Sequence, residues 1–283
     1  MYDTVVLKLL KEDIGDKYDW RSVFNKIDQT SEYKQVEGGS GHINGLRVSV
    51  TEKHVRVTGS LSKYFRGTNL DSLTLSQVEK AIKQLGKELG VPMIEADVER
   101  VDMAENFEMS RPPEFYISKM QSLGECCPNK WKGTTYFPSN GVLLRFYDKS
   151  KEVRKKRKNQ KNTPGAFSTS VEQNLLRYEI CFGKKAIRRM FGHQLKAKDL
   201  YDKDIFWRLV SEWLYSYDEI GIISDKLFDV SFEQIKTLSD FEEWCIAIAH
   251  SVVGLPSFVK GRFSVRELSL IHISEPTRRR GIS

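Results

Sequence analysis

The chain has 283 residues, 40% of them apolar and 29% charged, with 45 Lys or Arg against 38 Asp or Glu for a net charge of +7. Such a length allows one large domain or two modest ones around a real core, and the composition excludes collagen-like, mucin-like and wholly disordered classes. No apolar run approaches the roughly 20 residues of a membrane span, and the opening MYDTVVLKLLKED is too short and too acidic for a signal peptide. The four cysteines (Cys126, Cys127, Cys181, Cys245) form no CxxC pair, which argues against a disulfide framework or zinc site and for a reducing cytoplasm.

In chain order, Tyr2 to Leu10 reads as a strand. Leu46, Val48 and Val50 alternate, as do Val55 and Val57, which predicts a β-hairpin turning at Thr51-Glu52-Lys53. A helix follows: Thr74 and Gln77 fit a capping box, Leu75, Val78, Ile82, Leu85 and Leu89 fall on one face, and Gly90 stops it. Ile94 to Met103 is β-like, Pro112-Pro113 opens a helix through Phe115, Ile117 and Met120, and the CCPNKWKG stretch reads as a loop. Val142 to Asp148 and Leu175 to Phe182 are two further strands. The order predicts an α+β fold over 1–183, an antiparallel sheet with helices packed on one face. Beyond Gly183, Ala186 to Met190, Ile205 to Tyr217 and Phe232 to Val253 read as helices, so 184–267 is expected to be a smaller, truncated helical region whose Trp and Tyr stripe serves the core. Leu268 to Ser283, opening LSLIHISEPTR, resembles the in-frame translation of a sequencing adapter and is set aside. Without it, losing Arg278, Arg279 and Arg280 and also Glu275, the net charge is +5.

The positive charge is uneven. Lys149 to Lys161 holds eight Lys or Arg against one Glu, with the unbroken run Arg154-Lys155-Lys156-Arg157-Lys158. A run of this kind serves either as a solvated loop or as a contact to a phosphate backbone, and charge alone does not choose between them.

The most informative residues lie on three predicted strands. Each carries an arginine, one residue, then a group able to do chemistry: Arg100-Val101-Asp102, Arg145-Phe146-Tyr147 and Arg177-Tyr178-Glu179. Residues i and i+2 of a strand share a face, so neighbouring strands would assemble two carboxylates, a phenol and three guanidiniums on one surface. Cross-strand ion pairs on a solvated face would explain any one of these strands; the threefold repetition favours a site. Two carboxylates suit Mg²⁺ or Mn²⁺, arginines match phosphate geometry, and a cation can activate a phenol whose pKa is ordinarily about 10. Together they point to a tyrosine that attacks a nucleic-acid phosphate.

On the segments MYDTVVLKL, VTGSLSKYFRGTNLDSLTLSQVEKAI, VERVDMAENFEMSRPPEFY, GVLLRFYDKSKE and LLRYEICF followed by DLYDKDIFW, the chain resembles the gene-II type replication-initiation proteins of filamentous bacteriophages. More distantly it resembles the tyrosine initiators of rolling-circle plasmids. The resemblance spans about Met1 to Asp204. It implies a sequence-specific endonuclease and strand transferase that nicks one strand at a phage or plasmid origin, single-stranded or supercoiled. A 5′-phosphotyrosine intermediate and a 3′-OH primer result, with host helicase and polymerase as partners in the bacterial cytoplasm and no membrane involved. Carried over, it implies Tyr147 as nucleophile, Lys149 holding the phosphate or phenolate, Asp102 and Glu179 as ligands of Mg²⁺ or Mn²⁺, and Arg100, Arg145 and Arg177 as phosphate contacts. Lys63, in a Ser60-Leu61-Ser62-Lys63 segment matching the family, joins Arg154, Lys155, Lys156, Arg157 and Lys158 as DNA-binding candidates.

The sequence departs from the best-known rolling-circle nickases in lacking a His-apolar-His pair; His42, His54, His193 and His250 are scattered, with His54 a candidate third ligand. Tyr136 and Tyr178 are rival phenols, although Tyr178 should face away from Glu179. Two other functions fit the same residues: a related strand transferase of mobilisation or transposition, and a non-catalytic origin-binding regulator.

Overall fold

The computed structural model describes residues 1–15, 18–33, 37–124, 126–159, 174–222 and 237–239. Strand β1 (Tyr2–Leu10) is followed by short helices α1 (Lys11–Ile14) and α2 (Trp20–Phe24), then β2 (Asp28–Glu32), β3 (Gly38–Ile43), β4 (Leu46–Thr51) and β5 (His54–Ser60). Next come α3 (Leu61–Arg66), α4 (Leu75–Leu89), β6 (Asp97–Met109), α5 (Pro113–Ser118), β7 (Met120–Leu123), β8 (Asn129–Trp131), β9 (Thr134–Ser139) and β10 (Val142–Asp148). The remainder is α6 (Lys149–Asn159), β11 (Asn174–Gly183), α7 (Lys184–Phe191), α8 (Lys203–Asp218) and β12 (Ile220–Ile222). The predicted helix over Phe232 to Val253 and the set-aside tail lie outside the described residues, save for Thr237 to Ser239.

Ten of these strands form one antiparallel sheet in the order β2-β3-β4-β5-β1-β6-β11-β10-β9-β8, and β7 pairs separately with β12. The fold is the expected α+β arrangement. Period-two alternation sends Val5, Leu7 and Leu9 of β1, Val101 and Met103 of β6, and Tyr178, Ile180 and Phe182 of β11 to a common core. Helix α4 covers part of that face with Val78, Ala81, Ile82, Leu85 and Leu89, all fully buried. Its start is fixed as expected, Thr74 and Gln77 capping each other's backbone, and Gly90 ends it in the left-handed region at φ 71°. Burying each large aliphatic side chain contributes roughly 1.5–3 kcal/mol, so this face alone anchors the helix.

The segments after Gly183 share the same core. Ile187 of α7 and Leu209, Val210 and Trp213 of α8 join the apolar cluster of the sheet. Phe146 stacks on Tyr178 with centroids 4.6 Å apart and planes 2° apart, and Tyr178 in turn meets Trp213 at 4.6 Å. The expected core role of the stripe therefore holds for Leu209, Val210 and Trp213, whereas Leu214 and Tyr217 at the same helical spacing are exposed. Gly183 is the N-cap of α7 and joins β11 directly to that helix.

Three local features differ from the sequence expectations or were not foreseen. The β-like stretch from Ile94 starts at Asp97, after a 3₁₀ turn over Met93–Glu95, and runs on to Met109. The CCPNKWKG segment is not all loop: Lys132 (φ 48°) and Gly133 (φ 77°) form a two-residue turn with both φ positive, which folds Asn129–Trp131 back onto β9. Strands β2 and β3 carry little hydrophobic pattern. Glycine lets β3 pack closely, since a Cβ on Gly39 would lie 2.5 Å from the Phe24 ring and one on Gly41 2.3 Å from the Asp28 carbonyl oxygen.

Candidate active site

The order β1-β6-β11-β10 makes the strands carrying the repeated arginine pattern neighbours. Register then aligns them: Tyr147 lies opposite Arg177, which lies opposite Asn106, while Arg145 lies opposite Glu179 and Cys181 opposite Asp102. Phe146 and Tyr178 face the core, so Arg145, Tyr147, Arg177 and Glu179 face the other way. Tyr178 is thereby removed as a nucleophile candidate: its hydroxyl donates to the Trp213 carbonyl at 2.9 Å in the buried interior.

The polar face is neither solvated nor a loose scatter of charges. Asp102 is fully buried. Arg100 Nε donates to its Oδ1 at 2.7 Å and Arg100 Nη2 to Oδ2 at 2.5 Å, a fork closed within one strand. Arg145 Nη2 reaches the same Asp102 Oδ2 at 3.2 Å and also donates to Glu179 Oε1, so one guanidinium nitrogen joins the two carboxylates. Arg177, 2% exposed, pairs with Asp3 through Nη2 and Oδ2 at 2.8 Å and donates to Asn106 Oδ1 at 3.0 Å. Its Nε lies 3.8 Å from Glu179 Oε2. The expected ion pairs are present, but as a buried network beneath the phenol.

Asp3 and Asn106 were not singled out from the sequence, while Ser60 and Asn69 stood out only within segments, Ser60-Leu61-Ser62-Lys63 and Gly67-Thr68-Asn69, that match the family and suggest DNA binding. Alternation counted back from Val5, Leu7 and Leu9 would aim Asp3 into the core. A bulge prevents that: Tyr2 pairs with Met103 and Val5 with Val101, so two residues of β1 oppose one of β6. Asp3 Oδ1 then accepts from Ser60 Oγ at 2.8 Å and from Asn69 Nδ2 at 3.1 Å. Ser60 also caps α3, accepting from the Lys63 backbone N–H, so half-buried Lys63 stands one turn from the network. The one readable signal for Asp3 was its being the single acid in a strand of mostly apolar residues.

Lys149 opens α6 directly after β10. It is buried, its Nζ donating to Glu152 at 2.8 Å and to Asn69 Oδ1 at 3.4 Å, and it lies 6.0 Å from the centroid of the Tyr147 ring. Arg154 and Lys155 follow on the exposed side of α6, Arg154 3.7 Å from Asp148. Lys156, Arg157 and Lys158 continue the helix; their side chains lie outside the described part of the structure.

Burial shifts these groups in opposite senses. It raises the Tyr147 phenol well above its ordinary range; Arg177 opposes the rise, while Glu179, Glu152 and Asp3 add to it. Glu179 is pushed up to about 7, chiefly by burial and further by the Asp102 carboxylate, against the pull of Arg145. Burial works to raise Asp3 too, but Arg177 and the hydrogen bonds from Ser60 and Asn69 outweigh it and hold this carboxyl below the usual range. Cys181, beside Asp102, is pushed up to about 12 by burial and by that carboxylate, so its thiol stays protonated.

Among the described residues no three His, Cys, Asp or Glu side chains converge as metal ligands. His54 hydrogen-bonds Thr51 and starts β5, whereas Ser60 of the site ends it, roughly 20 Å away at 3.4 Å per residue. It is not a third ligand to Asp102 and Glu179. Those two carboxylates do converge, on the Arg145 nitrogen, a cationic atom where a small divalent cation could substitute. Two hard-oxygen ligands are enough for Mg²⁺ when water and substrate complete the shell.

No helix among the described residues is long and apolar enough to cross a membrane. No curated protein matches the chain. The Phage CRI family, described as the N-terminal part of the replication-associated gene-II protein, matches residues 1–213, a span that holds every group of the buried network. The chain thus belongs to this family of replication-associated proteins, the filamentous-phage gene-II type of rolling-circle replication initiator.

Proposed function

We propose that this chain nicks one strand of origin DNA with Tyr147 as nucleophile. The observation that carries the reading is the half-buried phenol of Tyr147, set on a rigid sheet directly opposite Arg177 and beside Lys149, where the basic helix α6 begins. The Tyr147 phenol first gives its proton to solvent water, and the resulting phenolate oxygen attacks the scissile phosphorus. The Oη–P bond forms, the P–O3′ bond breaks, and the leaving 3′ oxygen takes up a proton to become the primer hydroxyl. One phosphodiester replaces another, so no nucleotide cofactor is consumed and the step reverses to reseal the strand.

The residues divide this work. Because burial holds the phenol protonated, DNA binding must bring positive charge or remove a proton before attack. Lys149 and Arg177 are the cations next to the phenol. Asp3 and Asn106 fix Arg177 in place, and Arg100 and Arg145 hold the two carboxylates. Asp102 and Glu179 would hold Mg²⁺ or Mn²⁺ in place of Arg145; such an ion would polarise the phosphate and stabilise its developing charge. Lys63, Arg154, Lys155, Lys156, Arg157 and Lys158 would contact the phosphate backbone, with origin DNA as partner and host helicase and polymerase following in the bacterial cytoplasm.

A non-catalytic origin-binding role is favoured by one observation, that Arg100, Arg145 and Arg177 are each engaged with carboxylates rather than open to phosphate. Covalent trapping separates the two. The protein is incubated with Mn²⁺ and single-stranded origin fragments, and a denaturant-resistant adduct is sought alongside Tyr147→Phe. An adduct that vanishes in the variant is expected. One that persists moves the nucleophile to Tyr136, and none in either protein leaves a DNA-binding protein.

A further inference from the structure

The row of paired residues that contains Tyr147 does not stop at β10. Tyr147 lies opposite Thr134 of β9, and Thr134 lies opposite Trp131 of the edge strand β8. Directly paired residues share a face, so Trp131 projects on the same side of the sheet as Tyr147, two strand spacings away, roughly 10 Å. Thr135 and Phe137, facing the core, confirm the alternation of β9. Tyr136, on the Tyr147 side, lies one row along, opposite Asn129 and Arg145. The turn between Trp131 and Thr134 has two residues with positive φ, which locks this register.

Trp131 is 62% exposed, an unusual state for an indole. Its sequence neighbours are both lysines, and Lys132 Nζ lies over the ring 4.4 Å from the centroid. A cation thus backs one face of the indole and leaves the other open. The register also places this turn at the end of the sheet where β10 passes into α6, so Trp131, the Lys132 charge and the basic helix belong to one side of the molecule. An exposed aromatic face bordered by cations fits single-stranded nucleic acid, whose bases stack while its phosphates meet the lysines. Duplex DNA, with its bases already stacked, gains nothing from such a ring.

We propose that Trp131 is a stacking platform for an unpaired base beside the phosphate that Tyr147 attacks, so that the sheet edge selects single-stranded over duplex DNA. This deepens the nickase reading and rests on it for the position of the phosphate. Trp131 is a positioning residue, since the reacting atoms are at Tyr147.

The test measures binding apart from cleavage, in full-chain protein carrying Tyr147→Phe. Fluorescence anisotropy compares oligothymidylate of about a dozen nucleotides with an abasic oligomer of equal length and with duplex. Trp131→Ala is expected to weaken oligothymidylate binding about tenfold, Trp131→Phe to restore most of the loss, and neither to alter the abasic or duplex affinity or the slope against salt. Unchanged oligothymidylate affinity in Trp131→Ala would overturn the proposal. So would an equal loss on the abasic oligomer, which would assign Trp131 to backbone contact or to the fold. The covalent trap run on protein with Tyr147 intact reports separately: no adduct together with a base-dependent Trp131 effect removes the nickase and leaves the platform, and an adduct without that effect does the reverse.

Discussion

Replacing Asp3 by Asn keeps the shape of a side chain that three partners hold and removes its charge. In the native protein Asp3 Oδ2 meets Arg177 at 2.8 Å, and Oδ1 accepts from Ser60 at 2.8 Å and Asn69 at 3.1 Å. Arg177 is only 2% exposed, so the variant leaves a guanidinium that water cannot reach. Breaking a buried pair from one side costs about 3–5 kcal/mol. Glu179, 3.8 Å from Arg177 Nε, compensates in part, which places the expected loss near the lower end, about 3 kcal/mol. With a urea slope of about 2–3 kcal/mol per molar, the unfolding midpoint should fall by about 1 M or more. The double variant Asp3→Asn with Arg177→Met should lose much less than the sum of the single losses, because it removes both charges. A single-variant loss below about 1 kcal/mol, or additive losses in the cycle, would refute the view that Asp3 exists to neutralise Arg177. The same variant should also reduce covalent adduct formation while the folded fraction stays high, because Arg177 faces Tyr147 across the strands.

Tyr178→Phe removes the hydroxyl that donates to Trp213, an acceptor that also serves the ladder of α8, so the loss should be small, about 1 kcal/mol, with adduct formation intact; loss of the adduct in a stably folded variant would return Tyr178 to the chemistry. Glu179 binds its proton more tightly folded than unfolded, about 7 against 4.5, so its contribution is fully present below the lower value and is lost as pH rises through the upper one. Urea unfolding at pH 5 and pH 8, both set by that window, should therefore find Glu179→Gln gaining on the native protein at the higher pH; equal differences at the two pH values would contradict the shift.

The β-strands that build the site were legible because alternation is a local property. Val142 to Asp148 and Leu175 to Phe182 announce themselves, and the i, i+2 spacing of Arg145 with Tyr147 and of Arg177 with Glu179 follows from any strand. What the spacing does not tell is which arginine meets which acid. Arg100 closes on Asp102 within its own strand while Arg145 bridges two strands, a choice set by neighbour order and register. Asp3 was hidden by the bulge, which reverses the parity that the apolar residues of β1 define. Trp131 was hidden by its setting: Pro128, Gly133 and a run of polar residues read as loop, and only pairing with β9 makes them a strand. Gly183 looked like a boundary because the pattern changes there from strand to helix, whereas a glycine N-cap between two elements of one core produces the same change.

Neighbour order also bears on how the molecule comes into being. Strand β11, the last of the large sheet in sequence, does not add to an edge but lies between β6 and β10. A nascent chain that has emerged only as far as α6 already carries Tyr147 and much of the basic helix, yet it has no Arg177 or Glu179 and leaves the facing edges of β6 and β10 without the strand that lies between them. Closing the gap requires contacts between residues more than 70 positions apart, Asn106 with Arg177 among them, and such long-range pairing is slow. During synthesis there is therefore an interval in which Tyr147 and the start of α6 have emerged while Arg177, the residue paired opposite the phenol, has not. Insertion of β11 ends that interval, closing the sheet and completing the site in the same step.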